Sequence, residues 1–192
     1  ADDPNNDNSG NNGFAPAQNN LGMMYINGKG VDQNYASAAE WFQKAADQGD
    51  ANAQYNLGLM FKKGKGVTQS YEKAVEYYQK SADQGLAVAQ CDLGYMYETG
   101  EGVAQSHQKA VEYYQKSAEQ GYARAQYNLG NAFWNGEGVE QDCSKAIDWW
   151  TLAAEQNQPD AQVHLGLAYY NGDSVEQNYG EAVRLWKLAA EQ

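Results

Sequence analysis

Residues 53–85 read AQYNLGLMFKKGKGVTQSYEKAVEYYQKSADQG, and this stretch decides the fold. Ala53, Leu57, Met60 and Phe61 follow one another at helical spacing. Gly64 and Gly66 then stop that helix, with Gly64 placed for the left-handed residue that lies beyond a helix end. A second helical series follows in Tyr71, Ala74, Val75, Tyr78 and Ala82, opened by Ser70 as N-cap and closed by Gly85. The stretch is therefore helix, loop, helix, turn.

The pattern returns every 36 residues. Leu-Gly stands at Leu21-Gly22, Leu57-Gly58, Leu93-Gly94, Leu129-Gly130 and Leu165-Gly166. Ala-Gln pairs precede them from Ala17-Gln18 to Ala161-Gln162, and glutamines from Gln33 to Gln177 follow. A fixed period without insertions means one supersecondary unit copied and stacked. The expected fold is all-α, an α-solenoid of five 36-residue helix-loop-helix repeats over residues 14–192. The units run approximately 14–52, 53–88, 89–124, 125–160 and 161–192, behind a disordered polar leader at 1–13.

The other repeating columns fit this reading. The second-helix N-cap column is Asn34, Ser70, Ser106, Asp142 and Asn178, all good capping residues. The stop column is Gly49, Gly85, Gly121 and Asn157, where asparagine best replaces glycine at positive φ. Glycine inside each first helix costs about 1 kcal/mol against alanine. Its repetition implies close approach of the partner helix. The aromatic column Phe42, Tyr78, Tyr114, Trp150 and Trp186 reads as a packing layer.

Composition limits the function. Formal charge is −12, which argues against a nucleic-acid partner and favours a basic one. No apolar run approaches the roughly 20 residues of a membrane span. Cys91 and Cys143 fall at opposite ends of helical hairpins and are expected to stay unpaired. There is no phosphate loop, H-E-x-x-H or G-x-S-x-G elbow, and His107 and His164 sit in a packing column and a polar column. No catalytic residue, metal or cofactor is expected. The start at Ala1 with a polar lead is expected of a mature chain after signal-peptide removal, placing the protein in the periplasm or outside the cell, with the cytoplasm as the alternative.

Structural columns repeat because every unit solves the same packing problem, whereas columns that change from unit to unit are free to suit a partner. On the first helices the changing columns give Tyr55, Leu59, Lys62, Lys63, Tyr95, Glu98, Tyr127, Asn131, Trp134 and Tyr170 as the candidate binding residues. Leu185, Trp186 and Leu188, on the last helix, are expected to form an exposed C-terminal interface suited to a homodimer.

With these motifs laid out, the chain resembles the Sel1-like repeat family, relatives of tetratricopeptide repeats. The carrying features are A-Q-x-x-L-G-x-x-[YF], G-x-G-V and [SA]-A-[DE]-Q-G, with departures at Pro16 and at Ser174, which replaces a loop glycine. The resemblance implies a right-handed superhelix whose first helices line a concave groove. It also implies a non-catalytic scaffold for a protein or peptide, of the exported immunity, adaptor or host-interaction kind. The competing expectation is a cell-wall-directed enzyme or a binder of amino-sugar or β-lactam-like ligands. The branch of the family linked to that activity carries paired cysteines, which this chain lacks.

Overall fold

The computed structural model describes residues 13–192, so the expected leader lies outside the described residues except for Gly13. Ten helices and no strand are present among them. They are α1 (Ala15–Asn27), α2 (Tyr35–Asp47), α3 (Ala51–Lys63), α4 (Tyr71–Asp83), α5 (Ala87–Thr99), α6 (His107–Glu119), α7 (Ala123–Asn135), α8 (Cys143–Glu155), α9 (Pro159–Asn171) and α10 (Tyr179–Ala190). None is long and apolar enough to cross a membrane. The chain forms two compact units, with the boundary after Ser81.

Local chemistry sets the helix ends. Asn34, Ser106, Asp142 and Asn178 each accept a hydrogen bond from the backbone N–H three residues on, as the N-cap column requires. The first helices all end on glycine with positive φ, from 63° at Gly64 to 80° at Gly172. Asn157 takes the same region at φ 62°. The loop glutamines secure the end of each first helix. Gln69 Nε2 donates to the Lys62 carbonyl at 2.9 Å, Gln105 to Glu98 at 2.8 Å, and Gln141 to Trp134 at 2.6 Å.

In the unit ending at Ser81, the core joins Ala38, Phe42 and Ala45 of α2 to Ala53, Leu57 and Met60 of α3. In the unit from Ala82 onward, Cys91, Tyr114 and Leu129 belong to one cluster, and Trp150, Leu165 and Leu185 to another. Within each repeat the helical glycine meets the aromatic ring of the second helix. A Cβ at Gly58 would lie 2.7 Å from Tyr78, and one at Gly130 would lie 2.5 Å from Trp150. Repeated glycine is thus the price of hairpins this close.

The Ala-Gln glutamines join neighbouring repeats. Gln54 donates to the Ala46 carbonyl at 3.3 Å, and Gln126 and Gln162 donate to Ala118 and Ala154 at 3.3 and 3.2 Å. Each is buried, so its amide replaces water at the preceding helix end.

Ser174 keeps the left-handed conformation at φ 58°, where Gly66 and Gly138 of the same column sit at 73°. A side chain in this region costs about 1–2 kcal/mol. Ser174→Gly is therefore expected to raise stability by about 1 kcal/mol in chemical denaturation, with unchanged helix content.

Candidate protein-binding face

The exposed part of each first helix lies toward its C-terminal half. Lys63, Thr99, Asn135 and Asn171 are exposed, while Leu59, Lys62, Tyr95, Glu98, Asn131 and Trp134 are half-buried. Of the half-buried ones, Trp134, Asn131 and Glu98 meet the aromatic column below. In the second unit, Trp134 lies 5.0 Å from Trp150, and Tyr170, which is itself exposed, lies 5.7 Å from Trp186. Asn131 accepts a 3.0 Å hydrogen bond from Trp150 Nε1. Glu98 accepts a short hydrogen bond from the Tyr114 hydroxyl. Burial and this carboxylate together push the Tyr114 phenol far above its usual range, so it remains a donor.

Other candidate residues belong to seams between repeats. Tyr127 was expected to face a partner, yet its ring packs edge-on against His164 with centroids 5.4 Å apart. His164 also lies 5.3 Å from Trp150, so it is a packing residue rather than a surface one. Cys91, which holds the Tyr127 position one repeat earlier, is fully buried, and burial pushes its thiol up to about 12. Such a thiol is inert as a nucleophile. Cys143 is also free. In the first unit Tyr55 stacks within its own hairpin on Tyr78 at 5.6 Å, whereas Asn56 donates to Asn19 at 2.9 Å across the seam. The physical reason is stacking offset: the Asn19, Cys91 and Tyr127 column meets the Asn56, Asn128 and His164 column of the following repeat.

The C-terminal expectation also needs correction. Leu185 is only 2% exposed and joins the core with Leu165 and Trp150. Trp186 is half-buried and donates from Nε1 to the Val163 carbonyl at 3.2 Å. Leu188 is half-buried, lining a cleft with Leu165 and Tyr169. Periodicity placed these residues on α10 but not on its inner face. The outward residues are Tyr179 and Val183, 57% and 48% exposed.

The ion pair of Asp92 with Arg124 escaped the sequence reading. Asp92 stands in a column otherwise held by Asn20, Asn56, Asn128 and His164, and Arg124 reaches it at 3.0 Å. The only signal was the charge itself at a neutral position. Lys44 and Lys116 lie over the Trp41 and Tyr113 rings at 4.3 and 5.1 Å. Glu76 and Lys80 do pair, at 2.6 Å.

Between the third and fourth repeats the face opens into a polar cleft of about 110 Å³, lined by Glu98, His107, Asn128, Asn131, Asn135 and Glu137 among others. Amides and carboxylates there suit hydrogen-bond donors on a partner. No group of three or more His, Cys, Asp or Glu side chains placed to hold a metal ion occurs among the described residues.

Comparison with known proteins follows the same repeats. The Sel1 repeat model matches residues 15–50, 51–86, 87–122, 123–158 and 159–192, starting later copies about two residues ahead of the unit starts read from the sequence. A Sel1 repeat protein from Oxalobacter formigenes superimposes with TM-score 0.89 at 34% identity, over 93% of this chain and 71% of its own. The c5321 protein, a protective antigen present in uropathogenic Escherichia coli strains, gives TM-score 0.89 at 37% identity, over 93% of this chain. This chain spans only 38% of that antigen's length. No curated protein matches the sequence. Five copies in register, each built on the same glycine–aromatic contact, make this chain a member of the Sel1 repeat family, with the all-α solenoid fold of that family.

Proposed function

We propose that the chain is a scaffold that holds a protein or peptide partner on the exposed C-terminal halves of its first helices, without catalysing a reaction on it. Sel1 repeat scaffolds mediate protein–protein interaction. The observation that carries the reading is the contrast within one backbone. Positions that seal each hairpin repeat, whereas Lys63, Thr99, Asn135 and Asn171 occupy one exposed column with changing chemistry. Residues 82–192 carry sixteen carboxylates against six Lys and Arg, which draws basic segments to this part of the chain. We further propose export from the cell, supported by the likeness to an E. coli protein described as a protective antigen.

Affinity capture from the native source tests the binding reading. Asn135→Arg combined with Glu137→Arg changes two exposed side chains and no core contact. Captured partner should fall about tenfold or more, since like charges and lost hydrogen bonds act together at the contact. Glu112→Arg on the outer face of α6 should change little. Equal capture by all three proteins would overturn the proposed face.

A further inference from the structure

We propose that the cleft between the first two repeats binds the C-terminal residue of a partner chain, an apolar side chain bearing a free α-carboxylate. The inference deepens the scaffold reading and rests on it.

The cleft has a volume of about 240 Å³. Its floor is Met23, Ile26, Leu59 and Met60, its wall includes Tyr35, and Lys63 and Lys65 stand at its edge. No acidic side chain is among its lining residues. Lys65 lies with its ammonium 5.2 Å from the Tyr35 ring centre, which holds the charge beside the apolar floor. Drug-sized ligands occupy about 300–1,000 Å³, so this volume suits one side chain.

The polar cleft of the second unit occupies the same position in its own repeats, displaced by 72 residues in sequence. There Glu98 replaces Ile26, Asn131 replaces Leu59, and Glu137 replaces Lys65. One backbone arrangement thus carries two opposite chemistries. The polar set is tied to the rings beneath it, Glu98 to Tyr114 and Asn131 to Trp150, whereas the apolar set leaves the larger opening, about 240 against 110 Å³. Charge follows the same division: residues 13–81 have seven lysines against six carboxylates. An otherwise acidic chain concentrates Lys62, Lys63 and Lys65 in one turn beside the apolar cleft.

These features select a chain end. An apolar group must enter while an anion stays at the mouth, within reach of lysine. In an extended peptide, adjacent side chains point to opposite faces, and the next two on one face stand roughly 7 Å apart, so an adjacent internal apolar–acidic pair such as Leu-Asp cannot present both groups together. A terminal residue carries its side chain and its carboxylate on one Cα.

The test uses the full chain and three fluorescein-labelled peptides, read by fluorescence anisotropy. One ends in leucine as a free acid, one is the same peptide amidated, and one is amidated with an internal Leu-Asp pair. The free acid should bind roughly tenfold more tightly than either amide at low salt, and the difference should shrink with added salt. Lys63→Asn with Lys65→Glu introduces the residues that Asn135 and Glu137 supply in the fourth repeat, so folding should survive and circular dichroism should be unchanged. In this variant the acid should bind no better than the amide. Leu59→Asn should weaken both. Equal binding of acid and amide, undiminished binding by the double lysine variant, or no binding at millimolar peptide would overturn the proposal. So would an internal Leu-Asp peptide that matches the free acid. Should the peptides fail while Asn135→Arg with Glu137→Arg still abolishes partner capture, the scaffold reading stands and only the chain-end site falls.

Discussion

Gly130→Ala should destabilise the protein by about 2–3 kcal/mol, although glycine to alanine inside a helix ordinarily stabilises by about 1 kcal/mol. The sign reverses because of what the methyl would meet. It would lie 2.5 Å from Trp150 Cδ1 and 3.2 Å from the Ala146 carbonyl oxygen. Neither neighbour gives way easily. The carbonyl is helix backbone, and the indole is 2% exposed with its N–H donated to Asn131 at 3.0 Å. Overpacking at such a contact forces the hairpin apart. Chemical denaturation with a fixed probe in α8 measures the effect, and a gain in stability would remove the close-packed hairpin from the account.

The outline of this fold was readable because identical packing problems recur. The Leu57 and Gly58 positions hold leucine and glycine in every copy, the Tyr78 position always holds an aromatic ring, and capping residues such as Asn34 and Asp142 mark the helix starts. The binding face was only partly readable. Variation between repeats does not by itself mean freedom from packing, since Tyr127 and Cys91 vary while lying in a seam. A seam joins two different columns, so each may change provided its opposite changes to fit: Asn19 meets Asn56, and Tyr127 meets His164. Comparing one column at a time cannot reveal such pairs. Leu185 failed for a related reason, because helical periodicity fixes a stripe but not which stripe the neighbouring repeat covers. The opposed chemistry of the two clefts was likewise hidden, since each is assembled from side chains of three successive helices that no single column joins.

Gln126→Leu should cost about 2 kcal/mol despite the similar size of the side chains. Gln126 is 4% exposed, donates to the Ala118 carbonyl at 3.3 Å, and accepts from Gln156 Nε2 at 2.7 Å. Leucine removes both bonds and leaves the Gln156 amide without that acceptor. The loss falls between repeats, so it should lower cooperativity as well as midpoint, which a nearest-neighbour array predicts for a weakened interface. Gln156→Leu, at an exposed position, should cost under about 1 kcal/mol. Similar losses for the two substitutions, measured by denaturant unfolding, would mean that the glutamine ladder does not join the repeats.

Hydrogen exchange on the protein alone and with its captured partner tests the central claim most directly. Added protection should appear over residues 95–99 and 131–137, at the C-terminal ends of α5 and α7, with no change on the outer faces of α6 and α8. Protection confined to those second-helix faces, with the first helices exchanging as before, would contradict the account.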